Sequence, residues 1–235
     1  MSHHIAFDQV PPTNGRYDLY GAVHKGLRRA QCDLLGRLGA ADRNNATEIA
    51  DLMSELRGLL RLAAAHVVHE DREIHGRLQS LSVSTATLDD QHEDHRIAFG
   101  KLEAMIAAVE KAPAERKQEK LRHLYLAFAA YVAEDLEHMH EEETVTAPAL
   151  WANLDDQALA EIEMRIVGSM APDMNMAFMR IMIPAMNPDE RFALLAGMRK
   201  VAPPEAFHAV IEFAARPSLS MEAFRNLTNS LELAA

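Results

Sequence analysis

The sequence is poor in cysteine and in basic charge. Its 235 residues include one cysteine, Cys32, so no disulfide forms within the chain, and any metal ion is left to nitrogen and oxygen ligands. Lys and Arg together number 24 against 35 Asp and Glu, which gives a formal net charge of −11. A surface of this charge repels phosphate backbones and anionic membranes, so no nucleic-acid partner is expected.

Long apolar runs are also absent. No stretch approaches the roughly 20 uninterrupted apolar residues that are needed to cross a bilayer, and the N-terminus lacks the basic and then apolar layout of a secretion signal. We therefore expect a cytoplasmic protein with no membrane partner. β-strand alternation is missing as well, while 49% hydrophobic residues suffice to bury a substantial core.

The distribution of Pro, Gly and apolar residues indicates three regions. Residues 1–16 contain Pro and Gly and predict an N-terminal arm. Residues 17–151 carry four long segments with the apolar period of amphipathic helices, and residues 152–235 carry shorter, Pro-broken pieces. We predict an all-α fold, with an antiparallel up-down four-helix bundle over the middle region and a Met-rich helical extension after it.

The limits of the four long helices follow from capping residues and apolar stripes. We expect Asp18 to Leu38 for the first, a start near the cap Asn45 for the second, a start at the cap Thr87 for the third, and about Ala114 to Val145 for the fourth, where Pro148 stops or bends the chain.

A histidine and a glutamate four residues apart occur on two of these stripes, as His66 with Glu70 and as His138 with Glu142. Residues with this spacing lie about 40° apart around a helix and one turn along it, so both reach the same ion or an adjacent pair. Burying two glutamates without compensating positive charge costs several kcal/mol. Paired carboxylates on core stripes therefore favour a metal site.

The other two helices each contribute an inward histidine, His24 and His92, within a shared His, Arg, Ala pattern. Antiparallel packing would bring four imidazoles and two carboxylates together in one bundle core. A single histidine on an apolar stripe is more often structural, but the repetition over four helices favours metal binding. Iron suits these ligands best, and manganese and zinc stay open.

Several neighbouring residues have two interpretations. His95 is either a fifth imidazole ligand or an outer residue near the site, and Asp135 either orients a ring nitrogen or is a partly solvated acid. His69 and Glu73 offer an alternative register one turn further on. Tyr20 is expected near the site or as core packing. The remaining histidines of the helices are expected to face solvent or to be structural: His75, His123 and His140.

These residues resemble the hemerythrin-like family, also called HHE cation-binding domains. The resemblance covers roughly residues 17–151. The resemblance rests on four sequence motifs: HKGLR from His24 to Arg28, HVVHEDREIH from His66 to His75, DDQHEDHR from Asp89 to Arg96, and HMHEEETVTAPAL from His138 to Leu150.

The resemblance implies two non-haem iron ions, ferrous or ferric, joined by a bridging oxo or hydroxo group. It assigns one iron to His24 and His66, the other to His92 and His138, and the bridging positions to Glu70 and Glu142. The oxygen-carrying members have a second histidine four residues after the one on the third helix. This chain has Arg96 there, and His95 one residue earlier, so we expect an additional open position on one iron.

The implied function is the binding of dioxygen, nitric oxide or peroxide, for oxygen or redox sensing, storage or iron handling. A diiron oxidoreductase, peroxidase-like or acting on nitric oxide, is the enzymatic alternative, and the sequence leaves turnover open. A metal-free helical interaction module is a third class. A ferritin-like carboxylate protein would place Glu-x-x-His pairs on two helices, whereas this chain has His-x-x-x-Glu.

The extension is rich in methionine. The methionines are spaced near the helical period, which favours a role in adaptable core packing over a role as ligands of copper(I). We expect the extension to cover the side of the bundle or to form a homodimer contact. The methionines concerned are Met170, Met174, Met176, Met179, Met182 and Met186.

Overall fold

The computed structural model of the protein describes residues 13–233. All regular secondary structure within that range is helical, and none of the described residues forms a β-strand. The predicted all-α class is therefore confirmed. Residues 1–12 of the predicted N-terminal arm lie outside the described residues, as do residues 234–235.

The helices are named here in chain order. The first group is α1 (Gly21–Ala40), α2 (Ala46–His69), α3 (Gly76–Ser80), α4 (Ala86–Lys111), α5 (Ala114–Glu141), α6 (Ala147–Asn153) and α7 (Asp156–Ser169). The second group is α8 (Pro172–Ala185), α9 (Pro188–Val201), α10 (Pro204–Val210), α11 (Arg216–Ser218) and α12 (Met221–Leu233). Three π-helical segments lie between α-helices: π1 (Glu70–His75), π2 (Glu142–Thr146) and π3 (Ile211–Ala215). Over the described range, no helix combines the length and the apolar character that a membrane span requires.

The chain forms two compact units. The described residues of the first unit are 13–21 and 32–168, and those of the second are 22–31 and 169–233. Helix α1 thus contributes residues to both units. The first unit extends beyond the predicted bundle limit at residue 151 because Leu159 and Ile162 of α7 join an apolar cluster with Tyr20 and Leu150.

In the first unit, α2 packs against α4, and α4 packs against α5. The facing stripes are apolar residues spaced three and four apart, as amphipathic helices require. They are buried as follows: Ile49, Leu52, Leu56 and Leu59 on α2, Leu102, Ile106 and Val109 on α4, and Leu121, Leu124 and Phe128 on α5.

Ion pairs show that α2 and α4 run antiparallel. Arg57, in the middle of α2, binds Glu103 and Glu110 in the second half of α4, at 2.7 and 2.5 Å. Asp71, just after α2, binds Arg96 in the first half of α4. Helices α4 and α5 are joined by only two residues, 112–113, and are antiparallel as well.

One of the two predicted helix caps is found in the structure, and the other is not. Asn45 caps α2 by accepting a hydrogen bond from the backbone N–H three residues later, at 3.1 Å, as predicted. The N-cap of α4 is Thr85, so the predicted cap Thr87 is wrong. The Thr85 hydroxyl donates to Asp89 at 2.9 Å and accepts from Gln79 of α3 at 2.7 Å, which ties this earlier start to the preceding helix.

Two of the π-helical segments begin at the predicted metal-binding glutamates, Glu70 and Glu142. Such segments occur mostly as single turns and often at functional sites. The second one leads into α6, where Pro148 occupies the first turn and the helix continues to Asn153. Pro148 lies at one of the first two positions of α6, where proline is most readily accommodated. The helix therefore continues past Pro148 instead of stopping.

The methionines of the second unit pack around an apolar core. Met182 and Met186 are buried, and Met176, Met179 and Met198 are partly buried against the core. This is the adaptable packing that the helical spacing predicted. The core itself consists of Ile183, Leu195, Val210, Ala214, Ala215, Leu227 and Leu231.

Gly26 of α1 permits a close approach within the second unit. A Cβ atom at Gly26 would lie 3.1 Å from the backbone nitrogen of Met182 and 3.2 Å from the backbone carbonyl carbon of Ile181. We expect Gly26→Leu to lower the free energy of unfolding by about 1–3 kcal/mol, because backbone atoms would have to move. Gly36→Leu on the same helix is the matched control, since nothing lies within 4 Å of it. Chemical denaturation measures both, and equal effects would contradict the close approach.

Candidate metal centre

The first His-x-x-x-Glu pair stands where α2 passes into π1. Nε2 of His66 lies 3.1 Å from Oε1 of Glu70. The side chain of Glu70 is 2% exposed and that of His66 is 12% exposed. A carboxylate at this depth is costly unless positive charge or hydrogen-bond donors compensate it. The helical spacing thus places both groups on the inner side of the unit, as predicted.

The second pair repeats this arrangement where α5 passes into π2. Nε2 of His138 lies 3.3 Å from Oε2 of Glu142, and both side chains are buried. His92 of α4 connects the two pairs. Its Nε2 lies 3.6 Å from Oε2 of Glu70 and 3.1 Å from Nε2 of His138.

Among the described residues, the atoms that could bind a metal form three groups, namely those of Asp71, His75 and His92 and two adjacent groups around the glutamates. Those of Glu70, His92, His138 and Glu142 all lie within 4.8 Å of one another, and so do those of His66, Glu70 and Glu142. The two groups share both glutamates. Two neighbouring ions bridged by carboxylates fit such a pair of groups, because two-metal sites have separations of about 3.5–4 Å.

The hydrogen-bond partners of Nδ1, on the side of each ring that faces away from the glutamates, determine which nitrogens of His92 and His138 carry a proton. We call them the outer partners. Nδ1 of His92 lies 2.6 Å from a carboxylate oxygen of Asp71, and Nδ1 of His138 lies 2.7 Å from the amide oxygen of Gln91. The Gln91 amide is oriented by its own NH₂ group, which donates to Glu141 at 2.9 Å. Both acceptors require a proton on Nδ1, so Nε2 of each neutral ring carries a lone pair.

The two Nε2 lone pairs face each other at 3.1 Å. Between two neutral rings this contact is repulsive, and either a proton shared by the two nitrogens or a metal ion bound to both relieves it. Two nitrogens bound to one ion at about 2.1 Å and at right angles are about 3.0 Å apart, so the spacing fits a metal ion. Burial lowers the pKa of His92, and its hydrogen bond to Asp71 opposes that shift. A neutral imidazole is the form that binds metal.

Tyr20 lies near the carboxylates, as predicted. It is 1% exposed. Burial raises the pKa of its phenol well above the usual range, and the negative charges of Glu142 and Glu70 raise it further. The phenol therefore keeps its proton beside the centre.

His95 lies beside the centre without joining any group of candidate ligands among the described residues. Its ring meets that of His138 edge-on, with centroids 4.9 Å apart, and its Nδ1 lies 3.7 Å from Asp135. Ligation by His95 stays a prediction. Asp135 thus faces His95, whereas the partner of the outer nitrogen of His138 is Gln91.

His24 is fully buried and belongs to residues 22–31 of the second unit. Its assignment as a metal ligand stays a prediction.

Glu73, which with His69 formed the alternative pair of ligands, accepts hydrogen bonds from Arg72 and Arg165, each at 2.8 Å. Its carboxylate is therefore bound by two guanidinium groups. Neither Glu73 nor His69 joins a group of candidate ligands in the described part of the chain.

The other histidines divide between structural and solvent-facing positions. His75 is 1% exposed, its Nδ1 lies 2.8 Å from Asp89 of α4, and with Asp71 and His92 it forms a further group of side chains that could hold a metal. His140 is half-buried and His123 is exposed.

Sequence reasoning missed Asp71 and Gln91, the outer partners of the two central imidazoles. Both lie in sequence segments that are rich in His and in Asp or Glu. Each one, however, binds a histidine of another helix, Asp71 that of α4 and Gln91 that of α5. Spacing along one helix reports only which residues share a face of that helix. No local pattern in the sequence could therefore have assigned these two roles.

Comparison of the chain with family models, curated proteins and solved structures gives no match. The class that the geometry defines is a helical protein with buried His and Glu groups that could hold a metal.

Replacing one buried carboxylate tests the electrostatic strain of the metal-free centre. At neutral pH we expect Glu142→Gln to raise the free energy of unfolding of the metal-free protein by about 1–3 kcal/mol, because it removes one of two buried carboxylates whose ligand atoms lie within 4.8 Å of each other. Glu137→Gln, on the exposed side of α5, is the control and should change nothing. Denaturation in the presence of a chelator measures both. A less stable Glu142→Gln variant would show that protein donors already compensate the carboxylate.

Proposed function

We propose that this chain is a non-haem diiron protein of the hemerythrin-like kind, which binds dioxygen or a related small molecule such as nitric oxide or peroxide. The proposal includes an antiparallel up-down four-helix bundle of α1, α2, α4 and α5. Contacts of the later part of α1 support it. Arg37 pairs with Glu55 of α2 at 2.5 Å, and a Cβ atom at Gly39 would lie 3.0 Å from the ring of Tyr125 of α5.

The observation that carries the proposal is the contact between His92 and His138. Two ring nitrogens lie 3.1 Å apart, and each ring donates the N–H of its other nitrogen to a fixed oxygen acceptor. Two buried glutamates stand on either side of them at 3.3 and 3.6 Å. A divalent or trivalent cation relieves both the lone-pair repulsion and the buried negative charge.

The proposed ligand roles follow from this geometry. His66 serves one ion and His92 with His138 the other, with Glu70 and Glu142 shared between them. The sequence adds His24 and His95 as further predicted ligands. A pair of iron ions supplies two electrons and an open position at which a small molecule binds.

Imidazole and carboxylate ligands support iron over other metals. The ligand set contains no thiolate, which disfavours copper(I) and the sites typical of structural zinc. Mixed nitrogen and oxygen ligands on a bundle core are typical of diiron and dimanganese proteins. Iron is the proposed occupant because it exchanges electrons, which zinc does not, and because the family resemblance of residues 17–151 implies iron instead of manganese.

The surroundings of the centre favour a small ligand. Glu70, His92, His138 and Glu142 are at most 3% exposed in their side chains, and His66, at 12%, is the most open of the five. Burial at this depth excludes bulky substrates. A ligand that reaches ions at this depth would therefore have to be small.

Metal content tests the proposal directly. Protein purified from iron-replete cells should contain about two iron ions per chain. His66→Ala and Glu142→Ala should each lower that number, because each removes a proposed ligand. His123→Ala, at an exposed position of α5, is the matched control and should leave it unchanged. Elemental analysis measures all four proteins, and equal losses in the three variants would contradict the proposed ligand set.

The optical spectrum tests whether the ions have an open position. The oxidised protein should absorb in the near ultraviolet through charge transfer to iron, and azide should change the spectrum by binding at the open position. Glu142→Ala should weaken both features. A colourless, metal-free preparation that iron fails to reconstitute would overturn the proposal.

A further inference from the structure

Arg96 lies at the outer end of a polar chain that reaches the centre. It stands one helical turn after His92 on α4, and its guanidinium binds Oδ2 of Asp71. The other oxygen of Asp71 accepts the hydrogen bond from Nδ1 of His92, at 2.6 Å. Nε2 of the same ring is directed at His138 and Glu70. A surface cation is thus connected to a buried imidazole through one carboxylate.

His138 has a different outer partner. Its Nδ1 donates to the neutral amide oxygen of Gln91, at 2.7 Å, and Gln91 in turn donates to Glu141. Hydrogen bonds to an ionised acceptor are about twice as strong as those between neutral groups. A carboxylate partner also raises the basicity of an imidazole that binds a metal. The two central imidazoles are therefore held by unequal acceptors.

A further ring contact constrains His92. The ring of His75 stacks on that of His92, with centroids 4.8 Å apart and an angle of 8° between the planes. His75 also competes for Asp71, since its Nδ1 lies 3.5 Å from Oδ1 of that residue. Asp89 lies closer to the same nitrogen, at 2.8 Å, and satisfies it. Oδ1 of Asp71 is thereby left to His92, while Oδ2 binds Arg96.

We propose that Asp71 and Arg96 form a positioning pair that fixes the tautomer of His92 and makes it a stronger metal ligand than His138. Asp71 acts on the imidazole, and Arg96 acts on Asp71 by holding its carboxylate in place. The part of the proposal that concerns metal affinity rests on the proposed function. The part that concerns the tautomer does not require a metal.

The tautomer is tested by nuclear magnetic resonance on metal-free protein labelled with ¹⁵N-histidine, at a pH above the pKa of histidine. In the wild-type protein, His92 and His138 should both be protonated on Nδ1. Asp71→Ala should convert His92 to a mixture of tautomers and leave His138 unchanged, whereas Gln91→Ala should do the reverse. Asp71→Asn should keep the proton on Nδ1, because its amide oxygen still accepts. If His92 stays protonated on Nδ1 alone in the Asp71→Ala variant, the proposal is wrong.

Metal affinity is tested with Zn²⁺ alone, in competition with a coloured chelator. Asp71→Ala should weaken the affinity by about 10- to 100-fold, as the loss of such outer partners typically does. Arg96→Ala should weaken it less, and Arg96→Lys should restore part of the loss. Asp94→Ala, an exposed acid on the same helix, is the control and should have no effect. An affinity unchanged in both Asp71→Ala and Arg96→Ala would overturn the positioning role.

The two measurements separate the two proposals. A wild-type protein that binds no metal but shows the expected tautomers would end the diiron proposal and leave the positioning of His92 standing. Arg96 is 40% exposed and Asp71 is 31% exposed in their side chains, so neither replacement opens a cavity in the core. Thermal unfolding of each variant checks that the fold is retained.

Discussion

The burial of two glutamates and two histidines at one place is the constraint on which the proposed function depends. Two glutamates and two imidazole nitrogens with lone pairs lie within 4.8 Å of one another, almost without exposure to solvent. The cluster is contributed by α4, α5 and the segments π1 and π2 that follow α2 and α5, and the packing of these helices brings the groups together. The same packing that buries the leucine stripes thereby concentrates negative charge. One metal ion would be within reach of all four groups, which is why the proposed function begins with a metal.

Much of the fold could be predicted from the sequence because helical period is a local property. Leucines spaced three and four apart identified the buried faces of α2, α4 and α5, and the structure buries them. The pairs of histidine and glutamate four residues apart were found by the same rule, since such residues share a face whatever the helix packs against. Met182 and Met186 were correctly interpreted as core packing for the same reason.

Other features could not be predicted because they depend on contacts between helices. The start of α4 at Thr85 follows from a hydrogen bond to α3, and the roles of Asp71 and Gln91 follow from rings on neighbouring helices. The π-helical segments that begin at the two glutamates also escaped prediction, although they set where each carboxylate points. π3 has no histidine before it at the equivalent spacing, so a π-helical segment does not by itself identify a site.

Anomalous X-ray diffraction at the iron absorption edge, from crystals of iron-loaded protein, tests the central claim most directly. The account predicts two peaks about 3.5–4 Å apart, lying between Glu70 and Glu142, with Nε2 of His92 and of His138 bound to the same ion. A map without peaks at this position would contradict it. So would iron bound only at surface carboxylates while the two glutamates stay metal-free.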